Sequence, residues 1–387
     1  MSCILFLSLS VAANLAPQDS ATKKVVAEAT RLRENNNSPD VSLEKATKEA
    51  RERTTGLDDA LRDWIESRLP KSKGALDADN SALQTHMKAE LLRAGVLAPA
   101  DAEDEYGYIG RLDLSRPSEF PEALTVVAGI TVPCGSYDSV YVYDYSGGPP
   151  RRVFEARGGS EQDANVSAVY FSKPNTSGNH LLLTLRYAIQ CGASWDGLSY
   201  DLFRLGTGAS AAVPIFSGQH DIWRGTDHPY NVELTPDELS IELLDRSIDP
   251  AIHNRTHVLH YKLGPAAVER TDPVALQPPD FVDEWLTRPW AEMESRSSTG
   301  DRDKLGKWHN FLSGGFLAGD INIVQSCTEK LEDWKVAVNL SWLAGKQLPE
   351  QFTLYFVVHE LGKYRFEMAA ISFEPPDGCP GESRPKE

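Results

Sequence analysis

A sequence segment that occurs twice places the strongest constraint on how this chain folds. CGSYDSVYVYDYSG begins at Cys134, and CGASWDGLSYDLFRLG begins at Cys191. Each joins a Cys-Gly pair, a short polar stretch, an alternation of aromatic or apolar with polar residues, and a closing glycine. A weaker copy without cysteine, HVLHYKLG, begins at His257. Because alternation with a period of two is typical of strands, the middle of the chain is predicted to be β-rich.

The three copies can be aligned on one aromatic position. Tyr143, Phe203 and Tyr261 are separated by 60 and 58 residues, and each precedes a glycine turn and a return strand. The return strands contain Phe154, Ile215 and Val268. A repeated antiparallel unit of this kind predicts a propeller-like region or a sandwich, although three units are fewer than a closed propeller needs. The alternative is that unrelated hairpins look alike.

The chain before the repeats is predicted to be helical. Ser42 is a suitable N-cap and Gly56 a suitable stop for one helix, and a second ends at Pro70. A third is expected from Ser81 to Ala94, with Gly95 after it. Up to Gly95 the chain carries 14 basic and 14 acidic side chains, so the later part carries the whole formal charge of -17.

After the repeats, a proline-rich stretch at 277–280 marks a change of pattern. Asp280 is predicted to cap the helix FVDEWLTR, and a further helix is expected from Arg302 to Leu312. Four alternating strands follow, with a turn at Leu361–Lys363. The fold class is therefore multidomain α+β, with an N-terminal helical segment, a central antiparallel all-β repeat region (propeller-like or sandwich) and C-terminal helices plus a four-stranded antiparallel sheet. The predicted domains are 1–13, 14–100, 101–278 and 279–387.

The first 13 residues resemble a signal peptide. An apolar run from Ile4 ends in Val11-Ala12-Ala13, which fits a small-residue cleavage site, although no Lys or Arg precedes the run. The alternative is a buried N-terminal strand or helix. No stretch approaches the roughly 18 apolar residues of a transmembrane helix. The protein is therefore expected to be secreted or periplasmic.

Cysteine usage agrees with export. Removal of a signal containing Cys3 leaves four cysteines, an even number that fits an oxidising compartment. If the two long repeats are equivalent, one disulfide joins Cys134 to Cys191, and by elimination the other joins Cys327 to Cys379. The alternative, in a cytosolic protein, is four buried free thiols.

Recognised catalytic signatures are absent from the sequence. It contains no GxSxG, no SxxK with its partners and no GxxxxGK[ST]. His253, His257 and His260 are close in sequence, but strand alternation puts the last two on opposite faces, so they do not predict a metal site. No cofactor and no metal are expected. The negative charge also argues against a nucleic-acid partner.

Aromatic and acidic residues near the repeat turns are the remaining candidates for ligand contact. Aromatic rings at loop ends can stack on sugars or peptides. Carboxylates in matching turns suit a glycan hydrolase when two lie close together, but they are also ordinary turn residues. The candidates are Tyr137, Asp138, Trp195, Asp196, Trp223 and Tyr230.

These observations favour a non-catalytic binding or scaffolding protein of the cell envelope or exterior. Its partner is expected to be a protein, a peptide or a glycan. The first alternative is a glycan-directed hydrolase that uses Asp138 and Asp196. The second is an intracellular protein-interaction module, which holds if Cys3 remains in the mature chain.

Overall fold

The computed structural model describes most of the chain in separate ranges. They are residues 19–35, 43–74, 80–98, 106–132, 135–158, 165–188, 195–206, 212–223, 230–245, 255–264, 267–313, 316–326, 333–342 and 350–375. The predicted signal peptide, its cleavage site and all five cysteines lie outside these ranges. The export and disulfide predictions therefore stay predictions.

The described helices lie in two groups, one near each end of the chain. They are α1 (Ser20–Asn35), α2 (Leu43–Arg68), α3 (Asn80–Arg93), α4 (Pro278–Thr287), α5 (Trp290–Met293) and α6 (Arg302–Ser313), with a 3-10 turn at Glu294–Arg296. The predicted N-terminal helical segment is confirmed, and Gly95 follows α3 with φ of 71°. Within the described residues, none of the helices combines the length and apolarity needed to cross a membrane.

The prediction that a helix stops at Gly56 is wrong. Helix α2 runs through this residue without interruption for 26 residues. A Cβ atom at Gly56 would lie 3.2 Å from the Glu28 carboxylate of α1. The glycine therefore allows α1 to approach α2 closely, and this packing outweighs its low helix propensity.

The described strands form four consecutive antiparallel meanders. They are β1 (Ile109–Ser115), β2 (Ala123–Val132), β3 (Gly135–Asp144), β4 (Arg151–Ala156); β5 (Asn165–Phe171), β6 (His180–Tyr187), β7 (Trp195–Leu205), β8 (Val213–Trp223); β9 (Tyr230–Leu234), β10 (Glu238–Asp245), β11 (Arg255–Leu263), β12 (Val268–Arg270); β13 (Phe316–Ser326), β14 (Asp333–Trp342), β15 (Glu350–Gly362) and β16 (Arg365–Ser372). The second and third meanders form one sheet through a single residue pair, Asp245 with Ile222. The antiparallel β region is confirmed, while the propeller and sandwich arrangements stay hypotheses.

The repeated aromatic position has the same structural place in three meanders. Tyr143, Phe203 and Tyr261 lie in β3, β7 and β11, the third strand of each. A β-bulge comes directly before Tyr143 and directly before Phe203, and the extra residues are Val153 and Ile215. A shared bulge is a feature that unrelated hairpins do not need, so it supports repetition of at least the first two units.

The contacts divide the chain into two compact units. One comprises residues 1–116 and 121–159, and the other 117–120 and 160–387. In the first unit α1–α3 and β1–β3 share one core, in which Trp64 on α2 and Tyr141 on β3 are fully buried. The helices and the first meander therefore stabilise each other, while the domain limits expected from composition stay predictions.

The C-terminal part of the second unit has its own core beneath β13–β16. Phe281 and Trp285 of α4 pack with Phe356 and Met368 of this sheet, and all four are fully buried. Helix α4 begins at Pro278, and its N-cap is Gln277, which makes no side-chain cap. The prediction that Asp280 caps the helix is therefore wrong, because two prolines occupy its first positions, where an N–H is not needed.

Candidate functional site

Two of the predicted aromatic residues lie opposite each other. Trp195, the first residue of β7, pairs in register with Trp223, the last residue of β8. Directly opposite residues share a face of the sheet. Asp196 is the next residue of β7 and pairs with Ile222. Both tryptophans therefore lie at the end of the β7–β8 pair that is remote from the segment joining the two strands.

Tyr230 and Tyr187 lie at the same end of the sheet. Tyr187 ends β6 and pairs with Leu198, three residues from Trp195, while Tyr230 begins β9 and pairs with Leu243. The two tyrosine rings are half-buried, with centroids 6.3 Å apart and planes tilted by 48°. Tyr187 and Tyr230 are called the aromatic end. The positions of Trp195 and Trp223 alternate with that of Leu198, so they do not belong to the same face.

The Tyr230 side chain also contacts β5, an edge strand of the same sheet. Its hydroxyl lies within hydrogen-bond distance of the Ser167 hydroxyl, and the ring packs on the buried core between the second and third meanders. The pKa of Tyr170, also on β5, is raised mainly by burial and further by Tyr230. A half-buried ring that already has partners within the sheet loses little side-chain entropy when its exposed part contacts a ligand.

The strands that carry the aromatic end are acidic. Strands β6 to β10 contain seven acidic side chains (Asp196, Asp201, Asp221, Glu233, Glu238, Glu242 and Asp245) against two arginines, Arg186 and Arg204. Arg186 is buried, with 2% of its surface exposed. Asp221 is exposed and lies two residues from Trp223. The excess belongs to the whole length of these strands, because Glu238 lies at the other end and Asp245 pairs with Arg255 of β11.

Tyr137 and Asp138 lie elsewhere, in the first unit. Both lie within β3, whereas the sequence had predicted them in or next to a turn. Asp138 pairs with Gly129 of β2, where an added Cβ would lie 2.2 Å from the Asp138 carboxylate. The strand continues because the glycine leaves room for a buried acid.

The Asp138 carboxylate already has partners within the protein. Arg111 donates a hydrogen bond to its Oδ2 at 3.1 Å, and the Ser136 hydroxyl lies beside its Oδ1. Only 2% of the Asp138 side chain is exposed. This arrangement is typical of a buried ion pair that stabilises a sheet and leaves the acid little freedom to reach a substrate.

A second buried acid in the first unit is also bound to its neighbours. The Tyr141 hydroxyl of β3 donates a hydrogen bond of 2.8 Å to Asp58 of α2. Burial raises the pKa of Asp58, although Arg157 at 3.5 Å favours the carboxylate. The pair connects the long helix to the sheet that it covers.

The densest group of buried charges is in the second unit, around Glu284 of α4. His257 Nδ1 of β11 lies 2.9 Å from Glu284 Oε2. Arg270 and Arg288 lie 2.5 and 3.1 Å from Oε1, and Arg255 lies 3.3 Å from Oε2. The side chains of Glu284 and His257 are fully buried. Four groups from β11, β12 and the C-cap of α4 thus surround one carboxylate.

The hydrogen-bond pattern determines the protonation state of His257. Arg288 donates from its guanidinium to His257 Nε2 at 2.6 Å, so the ring proton is on Nδ1, which lies 2.9 Å from Glu284 Oε2. Burial, opposed by Glu284, lowers the pKa of His257 to about 3. The lone pair on Nε2 is occupied, so the imidazole is not arranged to act as a general base or a metal ligand.

The acids on α4 respond differently to burial. Although burial alone would raise it, the pKa of Glu284 stays well below its usual range because His257 and the arginines surround the carboxylate. The pKa of Asp280 rises to about 6, chiefly through burial. Asp283, which is fully buried, has Arg255 Nε at 2.9 Å. The group is therefore an ion network that attaches α4 to the third meander.

Sequence reasoning detected only part of this network. The position of His257 on a strand, on the same face as Leu259 and Tyr261, is confirmed, and all three are buried. Glu284 and its arginines were missed. The available signal was the pair Asp283-Glu284 inside an apolar helix, directly before Trp285, since acids on a core-facing turn require partners.

Among the described residues, no group of three or more His, Cys, Asp or Glu is arranged to hold a metal ion. His257 and His260 of the HNRTHVLH segment are used separately. His257 binds Glu284, while His260 Nδ1 lies 2.7 Å from the Asp272 carbonyl oxygen. His253 lies outside the described residues.

No family model matches the sequence, and no curated protein is similar to it. Among solved structures, the chain is similar to the GH93 alpha-L-arabinofuranosidase of Fusarium graminearum with arabinobiose, at 7% identity and a TM-score of 0.27, over 67% of this chain and 66% of that one. This is just under two thirds of that enzyme. It is also similar to MPT-4, a mannose phosphorylase from Leishmania mexicana, at 9% identity and a TM-score of 0.24, over 74% and 78%. Likeness at these TM-scores carries no argument about function.

Proposed function

We propose that this protein is an exported binding or scaffolding protein that performs no chemistry, and that its ligand contacts the aromatic end. The observation that carries the proposal is the pair of half-buried rings of Tyr187 and Tyr230, whose centroids lie 6.3 Å apart at the end of β6 and the start of β9. Aromatic residues are among those that contribute most to binding energy at interfaces. Rings on strands also form a more rigid surface than rings on separate loops.

The buried charges support a non-catalytic function. The carboxylates of Glu284 and Asp138 are both within ion-pair distance of arginines, and the two ring nitrogens of His257 lie 2.6 Å from Arg288 and 2.9 Å from Glu284. Catalytic acids and bases need access to a substrate and a pKa suited to proton transfer. These groups have the burial and partners expected of structural ion pairs.

Export and disulfide bonding are part of the same proposal. We expect cleavage after Ala13 and bridges joining Cys134 to Cys191 and Cys327 to Cys379. Intact mass of the native protein, with and without reductant and alkylation, measures both. Retention of Cys3 with free thiols would favour the intracellular interaction module instead.

The binding test uses a panel of peptides, glycans and envelope fractions. Wild type is compared with Tyr230→Ala, which removes a ring from the aromatic end. Phe373→Ala is the control, because this side chain is 56% exposed and lies after β16. We expect at least one ligand whose binding is lost in Tyr230→Ala and kept in Phe373→Ala. A panel without any ligand, or equal binding by both variants, contradicts the proposal.

The hydrolase alternative makes a different prediction for the same panel. If Asp138 or Asp196 were catalytic, a glycan in the panel would be cleaved by wild type. Cleavage would then be lost in Asp138→Asn or Asp196→Asn variants that keep the wild-type unfolding midpoint. Recovery of every glycan intact is the result that our proposal predicts.

A further inference from the structure

We propose that Asn175 is the acceptor of an N-linked glycan, added by an oligosaccharyltransferase when the exported chain passes through a glycosylating secretory pathway. This site goes beyond the proposed function and depends only on its export step. Its support is the geometry of one turn, compared with two similar triplets that lie in strands.

The sequence contains five Asn-x-Ser/Thr triplets, the pattern that such transferases modify. They begin at Asn36, Asn165, Asn175, Asn254 and Asn339. Asn36 and Asn254 lie outside the described residues. Asn175 lies in the loop between β5 and β6, whereas Asn165 opens β5 and Asn339 lies in β14. Among the three triplets that the structure describes, only that of Asn175 is therefore outside a strand.

The turn that contains Asn175 is hydrogen-bonded and exposed. Gly178, which has φ of 78°, donates its N–H to the Asn175 carbonyl oxygen at 2.9 Å and so closes a β-turn. Thr176, Ser177 and Gly178 are exposed, and Asn175 is half-buried. An enzyme can therefore approach this triplet without displacing a strand.

The Asn175 carboxamide is oriented by the same turn. Its Oδ1 accepts hydrogen bonds from the backbone N–H groups of Ser177 and Asn179, at 2.9 and 3.0 Å. Both partners are donors, so the atom that faces them is the oxygen. Because the two branches of a planar carboxamide diverge, Nδ2 points away from these donors. The bond to Ser177 is an Asx-turn, which brings the carboxamide beside the third residue of the triplet.

The other two described triplets are held in the sheets. The Ser167 hydroxyl of the Asn165 triplet lies within hydrogen-bond distance of the Tyr230 hydroxyl. Asn339 pairs with Thr353 of β15, whose hydroxyl donates a hydrogen bond of 2.5 Å to the Asn339 Oδ1. In an extended strand, residues i and i+2 are about 7 Å apart, so the asparagine does not approach the third residue as it does in a turn. These triplets are therefore poorer acceptors in the folded protein.

The transfer forms a bond between Asn175 Nδ2 and the anomeric carbon of an oligosaccharide carried on a lipid diphosphate. The bond from this carbon to a phosphate oxygen breaks, and the lipid diphosphate leaves with the bonding electrons. One Nδ2 proton passes to a base of the transferase. Nothing is oxidised or reduced.

The test uses the folded full chain, purified from a host without N-glycosylation. It is incubated with an oligosaccharyltransferase and a lipid-linked oligosaccharide, and peptide mass spectrometry measures the occupancy of each asparagine. We expect a glycan at Asn175 and little or none at Asn165 and Asn339. An unmodified Asn175, or equal occupancy of Asn165 or Asn339, overturns the inference.

Variants separate recognition of the triplet from the shape of the turn. Ser177→Ala removes the hydroxyl and keeps the backbone bond to Asn175, and we expect the glycan to be lost, whereas Ser177→Thr should keep it. Thr176→Ala is the matched control, because it changes the adjacent exposed side chain and leaves the triplet intact. Retention of the glycan in Ser177→Ala, or its loss in Thr176→Ala, contradicts the assignment.

Expression of the native chain in a glycosylating cell separates this site from the proposed export. A glycan on Asn175 in both experiments supports both. Modification of Asn175 in vitro but not in the cell shows that export fails and supports the acceptor site. Absence of the glycan in both experiments overturns the acceptor site.

Discussion

His257 Nδ1 lies 2.9 Å from Glu284 Oε2, and both side chains are fully buried. The pair connects β11 of the third meander to α4 of the C-terminal region. In a less crowded site a His-Glu pair would suggest proton transfer. Here Arg288 occupies the other ring nitrogen and Arg270 the other carboxylate oxygen, so the pair is an attachment point between two parts of the second unit.

Replacement of Glu284 by Gln should strongly destabilise the second unit. The change leaves His257 and three arginines without their shared carboxylate, and breaking a buried ion pair costs about 3–5 kcal/mol. Glu292→Gln is the control, because its side chain is 45% exposed and it pairs only with the rim of the network through Arg270. Urea unfolding should show a large loss for the first variant and less than about 1 kcal/mol for the second. Equal losses would refute the importance of the buried carboxylate.

The free energy of unfolding should decrease as the pH is lowered below about 6.5, because of His257. Its pKa is lowered to about 3 in the folded protein, so the unfolded chain binds the proton first as pH falls below about 6.5. Stability from the neutral ring is therefore present above pH 6.5 and is lost progressively down to about pH 3. His257→Gln should have a flatter profile of unfolding free energy between pH 7 and pH 5 than wild type. A profile as steep as that of wild type in His257→Gln would contradict this explanation.

Replacement of Asp280 by Asn should stabilise the protein at neutral pH and have little effect on its stability at acid pH. The pKa of this acid is raised to about 6, so the folded protein holds its proton more tightly than the unfolded chain, and ionisation reduces stability as pH rises from about 4 to 6. The amide removes that cost. We expect a gain on the order of 1 kcal/mol at pH 7 and little change at pH 4. A gain that is the same at both pH values would contradict this explanation.

Replacement of Gly129 by Ala tests the space around Asp138. The new Cβ would lie 2.2 Å from the Asp138 carboxylate, so the strand pair must shift, at a cost of about 1–3 kcal/mol. Gly147→Ala is the control, since no atom lies within 4 Å of its Cβ position. The double variant Gly129→Ala/Asp138→Ala should lose less stability than the two single changes together, and full additivity would argue against the clash.

Sequence patterns predicted the elements whose cause is local. The alternation in VYVYDY and DGLSYDLFRL corresponds to β3 and β7, and the four C-terminal strands are present as β13 to β16. The common position of Tyr143 and Phe203 was also correct, but in the return strands Phe154 corresponds to Phe216, and Ile215 is the extra residue of the bulge.

The misses share a different cause, which is a contact with a residue far away in sequence. Gly56 stays helical because it packs against Glu28, and Asp138 stays in a strand because Gly129 faces it. Glu284 is buried because arginines from β11 and β12 reach it. Propensity describes neighbours along the chain, so partners 9 to 29 positions away are not visible to it.

The predicted ligand residues divide in the same way. The pairing of Trp195 with Trp223 follows from one hairpin, and the repeat pattern was sufficient to predict that hairpin. The placement of Tyr230 beside Tyr187 depends on how the third meander joins the second, through the one pair of Asp245 with Ile222. No local pattern encodes that junction.

The most direct test of the account is a hydrogen–deuterium exchange map of the protein with the tightest-binding ligand of the panel. The account predicts protection at the end of β6 and the start of β9, within residues 181–188 and 230–234. Protection confined to residues 302–313 and 350–375, with no change at the aromatic end, would contradict it.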